Sequence, residues 1–340
     1  MRSLPLERLA LDRPPDRGRL QVAAPSKSAR PRASFFSCTV YSGGLPPGSF
    51  ISLGGGLAIP SPELLFVELA CVMSPAVHVL LGYELCGSFS RSPERPREGA
   101  VRLGVRPVTT PERMGAFLDG CSNVRGSDAA RRSLQRVSAG AWSATEALLS
   151  TLLALPPEEL GYGLGRPRLN VRHESPPELR ALGCPGSRVP DIEIPGTCVG
   201  LNYDGHEHLD LTAIERAVAA GAIEEALRSI REKYVDDLRR NRELAASGHV
   251  VLPVVAEDLF QGGGLDAVVL EAVLAAEAID GAHFDAVRGA IASRRLSRAR
   301  QELIWSLLPW DAAGRYGRDL MARERAATSG GTVTDELFEL

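Results

Sequence analysis

Arg188-Val-Pro-Asp191-Ile-Glu193-Ile-Pro-Gly-Thr-Cys-Val-Gly-Leu-Asn202-Tyr-Asp204-Gly-His206-Glu-His208 is followed, after a charged span, by Gly248-His-Val-Val-Leu-Pro-Val-Val-Ala-Glu-Asp258-Leu259. Val189 to Ile194 and Thr197 to Tyr203 are rich in β-branched and apolar residues, and Pro195-Gly196 divides them. Two short runs around a Pro/Gly pair predict a hairpin. With Pro195 and Gly196 as the two loop residues, Asp191 falls opposite Gly200. Side chains alternate between the faces of a strand, so Asp191, Glu193, Asn202 and Asp204 are expected on one face. Three carboxylates and an amide within cross-strand reach concentrate oxygen ligands, and hard cations such as magnesium bind through carboxylates, carbonyls and water. The bland alternative is that short carboxylates beside turns cap backbone amides.

Outward from the hairpin, Leu211 to Ser247 reads as one or two helices. Ile223, Leu227, Ile230, Tyr234 and Leu238 recur at helical spacing, while Arg228, Arg231, Arg239, Arg240 and Arg242 lie largely off that stripe. Gly248 is placed to end the helix. Val250 to Val255 is a continuous apolar run, read as a buried strand. Strand, strand, helix, strand makes an α/β core.

This order resembles the restriction-endonuclease-like superfamily with its PD-(D/E)xK motif, in particular a branch similar to very-short-patch-repair endonucleases. That branch has an Asp ending one strand, a Val-Glu-x-Asp-Gly segment, often His residues, and Asp-x-x-Arg-x-x-x-Leu on a helix. Asp191 matches the first Asp, Leu201-Asn202-Tyr203-Asp204-Gly205 the second segment, and His206 and His208 the His positions. Asp237, Arg240, Leu244 and Gly248 match the helix and its end. The family's opening Ser-Pro-x-Glu corresponds to Ser143-Ala-Thr-Glu146. The resemblance covers residues 143 to 259. It implies a mixed sheet flanked by helices, acting on DNA. Asp191 and Asp204, with Glu193 as a substitute ligand, would hold magnesium. Glu146 would orient or assist, His206 or His208 would move a proton, and Arg239 or Arg240 would contact phosphate. One position departs from the pattern. The motif's Glu is Asn202, and no Lys stands two residues later. An amide brings one neutral oxygen where a carboxylate brings charge, so metal-dependent hydrolysis is expected to be weakened.

The remainder of the chain sets the frame. A length of 340 residues suits two domains, and the 44% apolar and 24% charged content is that of a water-soluble globular chain. The net charge of −3 excludes a global basic signature, so any DNA contact must come from a local patch. None of the six cysteines forms a Cys-x-x-Cys pair, which argues against a zinc motif and for reduced thiols in the cytoplasm. No apolar run reaches the roughly 18 residues of a membrane helix, and no signal-peptide core opens the chain.

Residues 1–33, rich in Arg, Pro and Ser, read as a flexible basic arm. Residues 34–140 read as a smaller mixed α/β N-terminal domain. Its Gly54-Gly55-Gly56 is read as a tight hairpin turn, and Ser61-Pro62-Glu63 and Thr110-Pro111-Glu112 as helix starts. Residues 141–310 form the endonuclease-like domain with its C-terminal helices, and 311–340 a tail. Ser61-Pro-Glu-Leu and Leu81-Gly-Tyr-Glu-Leu-Cys-Gly are also distantly similar to type IV abortive-infection antitoxin proteins, which act as transcriptional regulators. The readings to be weighed are a magnesium-dependent nuclease with a degenerate site, a non-catalytic DNA-binding antitoxin-like regulator, and a pseudo-nuclease that binds a toxin or other protein partner.

Overall fold

The structure, a computed structural model, describes residues 20–30, 36–41, 44–55, 57–92, 95–96, 100–204 and 223–309, with residue 319. The elements begin with strands β1 (Leu20–Ala24), β2 (Phe36–Val40), β3 (Phe50–Gly54) and β4 (Leu57–Pro60), then helices α1 (Pro62–Leu69) and α2 (Pro75–Cys86). Next come β5 (Phe89–Ser90), β6 (Arg102–Leu103), α3 (Pro111–Asp119), α4 (Ser127–Leu134), α5 (Ala144–Ala154), β7 (Arg168–Leu169), β8 (His173–Glu174) and α6 (Pro177–Ala181). The rest are β9 (Ser187–Arg188), β10 (Ile192–Glu193), β11 (Val199–Asp204), α7 (Ile223–Ala246), β12 (Val250–Val255), α8 (Ala256–Phe260), α9 (Gly264–Asp280), α10 (Asp285–Ala292) and α11 (Arg294–Leu307).

Contacts divide the chain into two units: residues 1–74 with 112–134, and 75–111 with 135–340. The segment 75–111, expected in an N-terminal domain of 34–140, therefore groups with the C-terminal unit. The reason is α2, which buries residues all round its axis, from Ala76 to Cys86, and packs on α5. In the first unit, β1 runs parallel to β2. Residues 20–24 of the segment read as a flexible arm are thus a strand, with Leu20, Val22 and Ala24 supplying an apolar position every second residue; residues 1–19 and 31–33 lie outside the described residues. β3 and β4 form an antiparallel hairpin turned by Gly54 and Gly55 at φ 80° and 62°, a region that favours glycine. Ser61 Oγ caps α1 by accepting from Leu64 N at 3.2 Å.

The second unit carries a four-stranded mixed sheet in the order β12-β11-β10-β7. β10 is antiparallel to both neighbours, and β11 is parallel to β12. A parallel pair requires a crossover, and α7 lies between β11 and β12 in the chain. Ile192, Ile194, Val199, Leu201 and Val254 are buried, and α9 packs on β11 and β12. Val250–Val255, expected to be a buried strand, is an edge strand. Pro253 is exposed and Val255 38% exposed, as an edge permits, because proline brings no ladder donor. α5 is buried along its whole length. The three C-terminal helices follow the expected segments, and Trp305 is buried. Among the described residues no helix is long and apolar enough to cross a membrane.

The hairpin register differs from the expected one. Ile192 pairs with Leu201 and Glu193 with Gly200. Ile194 N donates to Val199 O at 3.0 Å, so the loop is the four residues 195–198. Asp191 therefore comes opposite Asn202, not Gly200. The slip is two residues, and a slip of two leaves every side chain on its face.

Candidate functional site

α5 begins where Ser143 Oγ accepts from Glu146 N at 3.1 Å. Glu146 Oε2 reaches back to accept from Trp142 N at 3.0 Å and from Asn170 Nδ2 at 3.0 Å. Glu146 thus caps the helix and reaches the strand end at once. Burial pushes its carboxyl up, against the pull of those hydrogen bonds. Asn170 follows β7 at φ 51°, a left-handed backbone that Asn tolerates better than most residues. Its N–H donates to Asp191 O at 3.0 Å and its Nδ2 also reaches Gly140 O at 2.8 Å. Its Oδ1 is buried with no hydrogen-bond partner among the described residues.

Asp191 sits at the bend before β10. Its Oδ2 accepts from Tyr203 N at 2.8 Å, and its N–H donates to Asn202 Oδ1 at 2.9 Å. Burial first, then the nearby Glu146 carboxyl, push Asp191 up to about 7. The Tyr203 hydrogen bond and the Arg240 guanidinium oppose the rise, and Asp204 adds to it. Asn202 is fully buried and also donates to Asn241 Oδ1 at 3.4 Å. Arg240 Nη2 lies 3.1 Å from Asp237 and 3.8 Å from Asp204. Glu146, Asp191, Asn202, Asp204 and Arg240 are thus brought together at the junction of α5, the hairpin and α7.

Glu193 belongs to a second cluster. Its buried carboxylate pairs with Arg168 at 2.5 Å on one oxygen and with His173 Nε2 on the other. The His249 ring lies 3.9 Å from that of His173, at 45°. Arg239 is exposed on α7. His206 and His208 lie outside the described residues. Tyr234 and Leu238 of the apolar stripe are 60% and 47% exposed. The inward side of this half of α7 is instead Asp237, Arg240, Asn241 and Leu244, spaced i, i+3, i+4, i+7. Hydrophobic periodicity misses such a face because three of its four members are polar.

Sequence reasoning also passed over Asn170, Asn241, Arg168, His173 and His249. Only Asn170 left a local signal, as an Asn after a short strand where a left-handed turn is cheap.

The first cluster gathers carboxylates around the Arg240 guanidinium. A hard cation takes several oxygen ligands. Asp191 and Asp204 offer carboxylate oxygens of that kind, but among the described residues the His, Cys, Asp or Glu set whose ligand atoms lie within 4.8 Å of one another is His173, Glu193 and His249 instead. The Asn202 Oδ1 accepts from the Asp191 N–H. Arg240 is set against Asp204 and Asp237, and Asp191 is raised by burial first and by the Glu146 carboxyl second. Comparison with protein-family models, curated proteins and solved structures returned no match.

Proposed function

We propose that this chain is a DNA-acting protein built on a restriction-endonuclease-like core, with a weakened magnesium site at Asp191 and Asp204. The observation that carries the reading is the order α5–β7–β10–β11–α7–β12 around one mixed sheet, with Glu146, Asp191 and Asp204 converging beside α7. Magnesium bound there would polarise a phosphate and favour hydroxide formation. The protein's own part is to hold Asp191 by the Tyr203 N–H, to fix the hairpin through Asn202, and to balance Asp204 with Arg240. The α7 surface supports a nucleic-acid partner. Arg228, Arg231, Arg239 and Arg242 are all exposed and fall within about 80° of one another on a helical wheel. Glu224 and Glu232 share that side and temper its charge.

A second reading, a non-catalytic DNA-binding regulator on the same scaffold, is favoured by one feature. The neutral Asn202 stands where the motif has an acid. The deciding experiment is cleavage of plasmid and mismatched duplex DNA with magnesium or manganese, wild type beside Asp191→Ala. Metal-dependent cleavage lost in Asp191→Ala supports the nuclease. Metal-independent binding without cleavage, unchanged in Asp191→Ala, supports the regulator. Absence of any nucleic-acid binding overturns both in favour of a protein-binding role.

A further inference from the structure

We infer that His173, Glu193 and His249 form a second metal site, for zinc or a similar borderline divalent cation, which ties three segments of the C-terminal unit together. The inference is independent of the proposed nuclease reading, since none of its ligands belongs to the Asp191 cluster.

Ligand atoms of the three residues all lie within 4.8 Å of one another. Tetrahedral zinc with bonds of about 2.0–2.2 Å sets its ligand atoms roughly 3.3–3.6 Å apart, so the ion would take the place of the proton between His173 Nε2 and Glu193, opening that short contact while His249 closes in. Two imidazole nitrogens and one carboxylate oxygen are a zinc-type donor set, whereas magnesium prefers oxygen alone. Three protein ligands leave a fourth position for water.

The ligands come from separate elements, each fixed by its own backbone. Glu193 is in a strand paired on both sides, with Arg168 and Gly200. His173 is in β8, paired with Arg188 of β9. His249 leaves α7 through Gly248 at φ 85°, and its N–H donates to Leu244 O at 2.9 Å. Side chains held by such elements meet the precision a metal site needs.

The Glu193 carboxylate is held by Arg168 on one oxygen and by His173 on the other. The Glu193 side chain is 6% exposed and that of Arg168 is 61% exposed, so the guanidinium is largely in water. Arg168 on one carboxylate oxygen keeps the other turned to the two rings, the outer-shell role that orients a metal-binding carboxylate.

The test uses the full chain without a His tag, stripped with chelator and titrated with zinc against a chromophoric chelator, then with cobalt. The expected result is one equivalent per chain, a cobalt spectrum of tetrahedral type, and a zinc-dependent rise in melting temperature. His173→Gln and His249→Gln are each expected to weaken zinc binding by at least about tenfold, with circular dichroism in chelator showing that they fold. Asp191→Asn is expected to bind zinc as wild type does. If the His variants do not fold, imidazole nitrogen NMR of the wild type decides, since the chain has six His. A zinc-induced shift of two of them supports the site, and no shift overturns it. The site is equally overturned by wild type that binds no stoichiometric zinc, by binding that survives both His substitutions, or by binding lost in Asp191→Asn.

Discussion

Near pH 7 the Asp191 carboxyl is divided between its charged and neutral forms, because burial and Glu146 raise it to about 7. An unfolded Asp releases its proton near pH 3.9. Below about pH 4 both states hold the proton, and the shift costs nothing. Between about pH 4 and 7 the unfolded chain ionises and the folded one does not, so stability falls as pH rises, then levels off. Asp191→Asn keeps an oxygen for the Tyr203 N–H and removes the titration. It is expected to stabilise the metal-free protein at pH 8 by about 1–3 kcal/mol, with no gain at pH 4, read by urea unfolding in chelator. An equal gain at both pH values would sink the titration argument. Asn202 sets the next test. Asn202→Asp keeps the acceptor for the Asp191 N–H but buries a charge beside Asp191. It is expected to cost on the order of 1–3 kcal/mol in chelator, and to bind magnesium more tightly than wild type in calorimetric titration. Tight wild-type binding that the variant does not exceed would mean another group supplies the missing ligand. No gain in the variant would leave the hairpin carboxylates as structural caps.

At the scale of the element, α7 has two polar sides with different work. Asp237, Arg240 and Asn241 face the hairpin groups, and Arg228, Arg231, Arg239 and Arg242 line an exposed side. Each Arg neutralising a DNA phosphate releases counterions, so binding weakens steeply with salt. Replacing the four with Gln is expected to weaken duplex binding at low salt by at least about tenfold, and to flatten the dependence of affinity on salt. Fluorescence anisotropy across a salt series reads both effects. Affinity and slope equal to wild type would remove α7 as the contact surface. The stripe from Ile223 to Leu238 pointed to an apolar inward face here. Periodicity reports where apolar groups lie, and from Tyr234 onward the helix exposes Tyr234 and Leu238 and turns Asp237, Arg240 and Asn241 toward the hairpin.

For the whole molecule, Arg300 joins the last helix to the turn after α5. It is fully buried, pairs with Asp266, donates to Leu160 O at 3.2 Å and Gly161 O at 3.3 Å, and stacks 4.2 Å over the Tyr162 ring. Tyr162 OH donates to Asp266 Oδ1 at 2.7 Å. Removing one partner of such a set strands a buried charge, at about 3–5 kcal/mol. Arg300→Ala is therefore expected to lower stability by that order in urea unfolding, and Arg300→Lys to recover little, because an ammonium cannot reproduce the planar fork. A loss below about 1 kcal/mol would show that water replaces the guanidinium.

The sequence by itself determined the local pieces around the site. Ser143 and Glu146 marked the start of α5, the apolar runs around Pro195-Gly196 marked the hairpin, and Gly248 marked the end of α7. Alternation along the strands also placed Asp191 and Asn202 on one face, and that grouping survived the register error because a two-residue slip preserves parity. These are short-range matters, decided by capping, turn chemistry and a period of two. Tertiary structure alone decided the partners. Asp191 meets Glu146 and Arg240 while Glu193, two residues on, meets Arg168 and His173, because each carboxylate finds what neighbouring elements bring to its place on the sheet. His173, Glu193 and His249 are far apart in the chain and follow no motif spacing. The pairings of β7 with β10, β10 with β11 and β8 with β9, and the return of the chain through α7, set their side chains together.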